Sequence, residues 1–129
     1  MPKSAMDLIA EANDAIETID VDEARKIHAN ADVLFIDLRE PTEIERTGTI
    51  PGAVATPRGM LEFAIDPSMP THNEAFSSGK LLVFYCASGG RSALGAQTAQ
   101  EMGLENVCHM GGGFRAWIEA GAESEGGNR

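Results

Sequence analysis

A chain of 129 residues is long enough for one domain with a real core, and a second domain of ordinary size is not expected. Acidic residues outnumber basic ones 20 to 10, for a formal charge of −10, which argues against nucleic acid or anionic lipid as partners. No apolar run approaches a membrane span, the opening MPKSAMDLIAEAND lacks the apolar core of a secretory signal, and two cysteines are too few for a disulfide framework, so a reduced, cytoplasmic setting is expected.

Within residues 4–17, Met6, Ile9, Ala12, Ala15 and Ile16 recur at close to helical period with acids between them, which predicts an amphipathic helix. Residues 1–17 are read as an extension packed over the core, with a partner-docking helix as the sharper alternative. Residues 18–21 suit a short edge strand, and Asp20 or Asp22 then caps a helix over 23–29. A buried strand follows at 33–36. It ends in Asp37, Leu38 and Arg39, before Glu40-Pro41 and a short helix over 42–46. Asp37 and Arg39 read as a charge pair that braces the loops at the end of the strand. The Pro51-Gly52 turn within GTIPGA feeds a short strand at 53–55, and Arg58 stands just past it. A short helix is predicted over 61–65. Residues 66–78, rich in Pro, Ser, Thr and Asn, form the longest irregular stretch and a candidate pocket border, with His72 read as a solvated loop residue.

The chain is organised around KLLVFYCASGGRSALGAQTAQEM, residues 80–102. The run Leu81–Tyr85 has the length and composition of a strand buried on both faces. Cys86 follows it at once, then Ala87, Ser88, Gly89, Gly90 and Arg91, and helical spacing begins at Ser92. In open α/β sheets ligands bind beyond the carboxyl ends of the strands. The helix start offers unpaired N–H groups and the positive end of the helix dipole, and the glycines let successive N–H groups curl inward as an anion-binding nest. A thiolate, the nucleophilic form of cysteine, is favoured in such a place.

The last strand is predicted at 107–110 and contains Cys108, expected to be buried and inert. Gly111 to Gly113 lead into a helix over 114–120 that Gly121 stops, with Phe114 and Trp117 packing it on the sheet. Residues 123–129 read as a flexible polar tail. Strands alternate with helical segments throughout. The fold class is therefore α/β, a mainly parallel sheet of about five strands with helices on both faces.

Together these motifs resemble the rhodanese family of sulfurtransferases, in its single-domain form, over residues 18–122. The cysteine loop between strand and helix carries the resemblance first. The strand ending in Asp37-Leu38-Arg39 is similar to the family's Asp-x-Arg. GTIPGA is similar to its Gly-His-x-Pro-Gly-Ala, with Thr49 in place of histidine and no aromatic residue just upstream. The close is similar to Gly-Gly-aromatic with tryptophan three residues on, with Met110, Gly111 and Ala116 replacing the usual aromatic, acid and glutamate.

The resemblance implies that Cys86 carries a persulfide whose terminal sulfur is held by the N–H groups of residues 87–91, with the Ser88 hydroxyl as an added donor. Arg91 then either faces the pocket or braces the loop from outside. Arg58 is the candidate for the sulfonate of the donor, because a guanidinium matches oxyanions in a forked geometry. The implied partners are a small-molecule sulfur donor such as thiosulfate and a thiol, protein-thiol or cyanide acceptor. No cofactor or metal is implied, and no oligomeric state is predicted. Two other classes compete. Cysteine phosphatases and arsenate-handling enzymes use a related loop with five residues between cysteine and arginine, where this chain has four. A non-catalytic binding module on the same fold usually loses the cysteine, which this chain keeps.

Overall fold

The structure is a computed structural model that describes residues 2–127. Five parallel strands form one sheet in the order β1-β5-β4-β2-β3. They are β1 (Glu17–Ile19), β2 (Val33–Asp37), β3 (Val54–Ala55), β4 (Leu81–Tyr85) and β5 (Val107–Met110). Among the described residues the α-helices are α1 (Ala5–Ala15), α2 (Val21–Ile27), α3 (Pro41–Thr47), α4 (Leu61–Ile65), α5 (Gly90–Glu101) and α6 (Gly113–Glu119). Each element expected from the sequence is present within a few residues of its expected bounds. Asp20 caps α2 by accepting from Glu23 N, and Ser4 and Asp7 close a capping box on α1. Among the described residues no helix is long and apolar enough to cross a membrane.

The side-chain parity of the strands sorts the core into two layers. Leu82 and Phe84 of β4 join Ala12 and Ile16, Leu61 and Ile65, and the Ala93, Ala96 and Ala99 stripe of α5. Val83 and Tyr85 point the other way, toward Ala24 of α2 and Phe114 and Trp117 of α6. The N-terminal helix is thus a packed part of the first layer, with Ala12 fully buried. Cys108 and Met110 fall in the second layer, and His109 between them faces the α1 and α5 side. This parity later decides what surrounds the site.

The loop at 66–78 holds one short 3-10 turn, Glu74–Ser77. His72 pins it, with Nδ1 2.8 Å from Ala64 O and Nε2 3.0 Å from Ser77 Oγ, so its role is structural rather than that of a solvated side chain. The segment read as a flexible tail is held at two points. Trp117 Nε1 donates to Glu123 O at 2.6 Å, and Glu125 pairs with Thr49 in an antiparallel bridge. Asn128 and Arg129 of that tail lie outside the described residues.

Candidate active site

Strand β4 is central in the sheet, so the loop that leaves its carboxyl end is flanked on both sides. Cys86 is the first residue of that loop and is 1% exposed. Its Sγ accepts from the N–H of Gly89 at 3.1 Å and of Ser92 at 3.4 Å. The loop curls back because Gly89, immediately before α5, has φ +112°, a conformation that favours glycine. The α5 N-terminus therefore points its free N–H groups and dipole at the sulfur. Of the loop donors expected from the sequence, Gly89 reaches Sγ directly. Ser92, one residue past the expected set, reaches it as well. Ala87 and Ser88 form the outer wall, and Ser88 is exposed.

Arg91 pairs with Glu43 at the edge of the ring, close enough to Cys86 to interact with its sulfur as well. Its Nη1 and Nη2 donate to the two carboxylate oxygens of Glu43 on α3 at 2.7 and 2.9 Å. The Arg91 hydrogen bond, more than any other cause, holds the Glu43 carboxyl at about 2, well below the usual carboxylate range. This sets a pH dependence. Glu43 has a lowered folded-state pKa, so the pair's stabilisation is fully present above the unfolded value of 4.5 and is lost as pH falls through about 2. The expected outcome is a melting temperature for Glu43→Gln that is lower than wild type by a constant amount above that window. The gap, on the order of 1 kcal/mol for a partly exposed pair, closes as acid titrates Glu43 in the wild type. A gap that stays constant through strong acid would contradict the pairing.

Asp37 and Arg39 pair with each other at the end of β2. Arg39 Nε and Nη2 fork onto Asp37 at 3.0 and 2.8 Å, while Nη1 and Nη2 also reach Thr47 Oγ1 and Gly48 O. The guanidinium lies 4.2 Å from the Phe114 ring centroid, a cation–π contact that ties α6 to the same point. Both charges are buried, so each depends on the other being present. Thr49, standing at the histidine position of the motif, donates to Asp37 Oδ2 at 3.0 Å and meets the Tyr85 hydroxyl at 2.6 Å. It thus links the Asp37–Arg39 pair to the end of β4.

Arg58 is not brought to the loop. Its Nη1 pairs with Glu62 at 2.9 Å and its Nη2 donates to Thr98 Oγ1 at 3.3 Å, well along α5 from the helix start. The structure therefore places the Arg58 guanidinium on α4 and the middle of α5, away from the Cys86 ring. A cavity of about 890 Å³ between α3 and α6 reaches the loop at Ala87 and carries Arg46 and Arg115 instead. A second cavity, about 330 Å³, lies between α1 and the loop and is lined by Ile9, Asn13, Ser88, Gly89 and His109 among others. Glu43, Ser92, His109 and Asn13 were not singled out from the sequence. The one available signal was a histidine inside an otherwise apolar buried strand.

A profile of the rhodanese-like domain matches residues 20–120. The chain belongs to the rhodanese-like family. A Homo sapiens member named thiosulfate:glutathione sulfurtransferase is 30% identical over 108 residues, covering 79% of this chain and 93% of that protein. A Mus musculus member named thiosulfate sulfurtransferase/rhodanese-like domain-containing protein 3 is 29% identical, covering 74% of this chain but only 64% of the mouse protein. Among solved structures, a Rhodopseudomonas palustris protein of unknown function, described as a possible tyrosine phosphatase, superposes with a TM-score of 0.93 at 47% identity, covering 97% of this chain and 96% of the other. The rhodanese-like family and its named sulfurtransferases support a function of the sulfurtransferase type. α1 lies before the matched rhodanese-like residues yet packs beside the Cys86 loop.

Proposed function

We propose that the protein is a sulfurtransferase that carries sulfane sulfur as a persulfide on Cys86. The observation that carries the reading is the Cys86 sulfur inside a tight ring, with the N–H groups of Gly89 and Ser92 aimed at it. The Cys86 thiolate attacks the outer sulfur of thiosulfate, the S–S bond of the donor breaks, and sulfite leaves with the bonding pair. An acceptor thiolate then attacks the outer persulfide sulfur, takes it, and frees the Cys86 thiolate. This is covalent catalysis in two half-reactions, with ping-pong kinetics. The human relative's name supports thiosulfate as donor and a small thiol as acceptor. Arg46 and Arg115, which line the cavity that reaches Ala87, are the cations available to meet the donor's sulfonate there.

A phosphatase is the second reading, favoured by the description of the R. palustris structure. Two features oppose it here. Only four residues separate Cys86 from Arg91, so the ring suits one sulfur better than a tetrahedral oxyanion. Arg91 also spends both terminal nitrogens on Glu43 rather than enclosing an oxyanion. Phosphate oxygens left without donors in a closed site would cost about 1–3 kcal/mol each, enough to suppress turnover by roughly one order of magnitude or more. The test is to measure thiosulfate:cyanide transfer and aryl phosphate hydrolysis on the same preparation. Transfer should exceed hydrolysis by at least that margin. Hydrolysis as fast as transfer would reverse the assignment.

A further inference from the structure

On the α1 and α5 side of the sheet, a row of hydrogen bonds runs from the active-site sulfur to the N-terminal helix. The Cys86 thiol donates to Ser92 Oγ at 3.6 Å. Ser92 Oγ lies 3.0 Å from His109 Nδ1, and His109 Nε2 lies 2.9 Å from Asn13 Oδ1. The far end sets the direction. An amide oxygen only accepts, so Nε2 carries the hydrogen and Nδ1 of the neutral ring is left as an acceptor. Thr18 Oγ1 also donates to Asn13 Oδ1, at 3.5 Å. Ser92 then donates to Nδ1, which is nearer than its other acceptor, Gly89 O at 3.3 Å. Every hydrogen in the row points away from Cys86.

We propose that Ser92, His109 and Asn13 form a proton relay that generates the Cys86 thiolate. The S–H bond breaks and its electron pair stays on sulfur. The proton passes to Ser92 Oγ as the Ser92 hydroxyl proton passes to His109 Nδ1. The products are a thiolate and an imidazolium whose Nε2–H is held by Asn13, so no co-reactant is required. The use of that thiolate in sulfur transfer rests on the proposed function, but the proton movement does not.

The surroundings suit a neutral base. α1 presents Asn13 to the ring, β1 presents Thr18, α5 presents Ser92, the adjacent β4 contributes the apolar Phe84, and the loop brings Cys86. Cys86 is the one titratable group among these, and the cavity bordering the ring has no charged residue in its lining. The Arg91 guanidinium of α5 interacts with the sulfur and favours its thiolate. Burial pushes the His109 imidazole down, which keeps the ring neutral at rest, so the imidazolium has to be held by the Nε2–H contact to Asn13. Asn13 is exposed, so the outer end of the row opens toward solvent. Asn13 also lies before the rhodanese-like residues 20–120, so a segment outside the family match completes the row. His109 and Asn13 are positioning residues that act on the sulfur through Ser92.

The test uses the full chain and two readouts against pH. One is the ultraviolet absorbance of the thiolate, with Cys86→Ser as the blank. The other is the single-turnover reaction with thiosulfate. His109→Gln and Ser92→Ala should move thiolate formation to higher pH and slow the turnover about 10–100-fold at neutral pH, with recovery in alkaline solution. Asn13→Asp should move thiolate formation to lower pH, because a carboxylate on Nε2 stabilises the imidazolium. A merely structural role would lower the rate equally at every pH and leave the titration in place, and misfolding does not produce the acid shift. An unchanged titration in both His109→Gln and Asn13→Asp would overturn the relay. Titrations that shift as expected in a protein that transfers no sulfur would support the relay and overturn the sulfurtransferase reading.

Discussion

Cys86→Ser is expected to abolish sulfur transfer, by roughly 10³-fold or more, with the fold intact, while Cys108→Ser keeps the rate within about twofold. Serine at position 86 still fits the ring and still accepts from Gly89, so the structural cost is small. Its hydroxyl forms no usable anion at neutral pH and cannot hold a persulfide. Cys108 sits in the opposite core layer, fully buried against Phe35, Val83 and Trp117 and their neighbours. Burial first, and the nearby Glu17 and Glu23 second, push its thiol up to about 12. It is therefore a neutral thiol without a path to the loop. The measurement is steady-state transfer together with circular dichroism of both variants. Equal loss in the two would point to a dithiol mechanism and against a single nucleophile.

Gly113→Ala is expected to be the most damaging single change at a residue that makes no chemical contribution. Gly113 opens α6 with φ +62°, and a Cβ there would stand 2.5 Å from Cys86 O and 2.6 Å from Ala87 O. Those carbonyls are the ones α6 docks on, through Phe114 N–H to Cys86 O at 2.8 Å and Arg115 N–H to Ala87 O at 3.1 Å. The clash is with backbone, so no rotamer change relieves it. Left-handed strain and overpacking together cost about 3 kcal/mol or more, a fall in melting temperature of about 10 °C or more for a chain of this size. The molecules that remain folded should transfer sulfur slowly, because the loop must shift to admit the methyl group. Gly103→Ala is the control: φ is +103°, but nothing lies within 4 Å of the added Cβ. It should cost only the backbone strain, on the order of 1 kcal/mol, with transfer unchanged. Equal effects in the two variants would show that contact with the active loop is not what Gly113 protects.

What could be read in the sequence was local. The run Leu81–Tyr85, the cysteine after it and the glycines before a helical stripe locate the loop, because strand burial, left-handed turns and helix starts each leave a mark on adjacent residues. Asp37 and Arg39 could be read as a brace for the same reason, being two residues apart at a strand end. Arg58 shows the limit. Its place just past a strand is a sequence property, but the direction of its guanidinium is set by Glu62 one turn on and by Thr98 on another helix. The Asn13–His109 contact joins residues 96 apart and could not be seen from either end. Strand parity puts His109 opposite Cys108, yet parity alone does not say which helix covers that face. The close of the chain is a different case. The bridge to Thr49, the Gly52 N–H bond to the Glu125 side chain and the bond from the Trp117 ring hold residues whose composition reads as free.

The persulfide on Cys86 is the central claim, and intact mass after incubation with thiosulfate tests it most directly. The account predicts a gain of one sulfur atom per chain, located on the peptide that carries Cys86, removed by cyanide or excess thiol and absent in Cys86→Ser. Folded, reduced protein that gains no mass at saturating thiosulfate, or that carries the sulfur on Cys108, would contradict it.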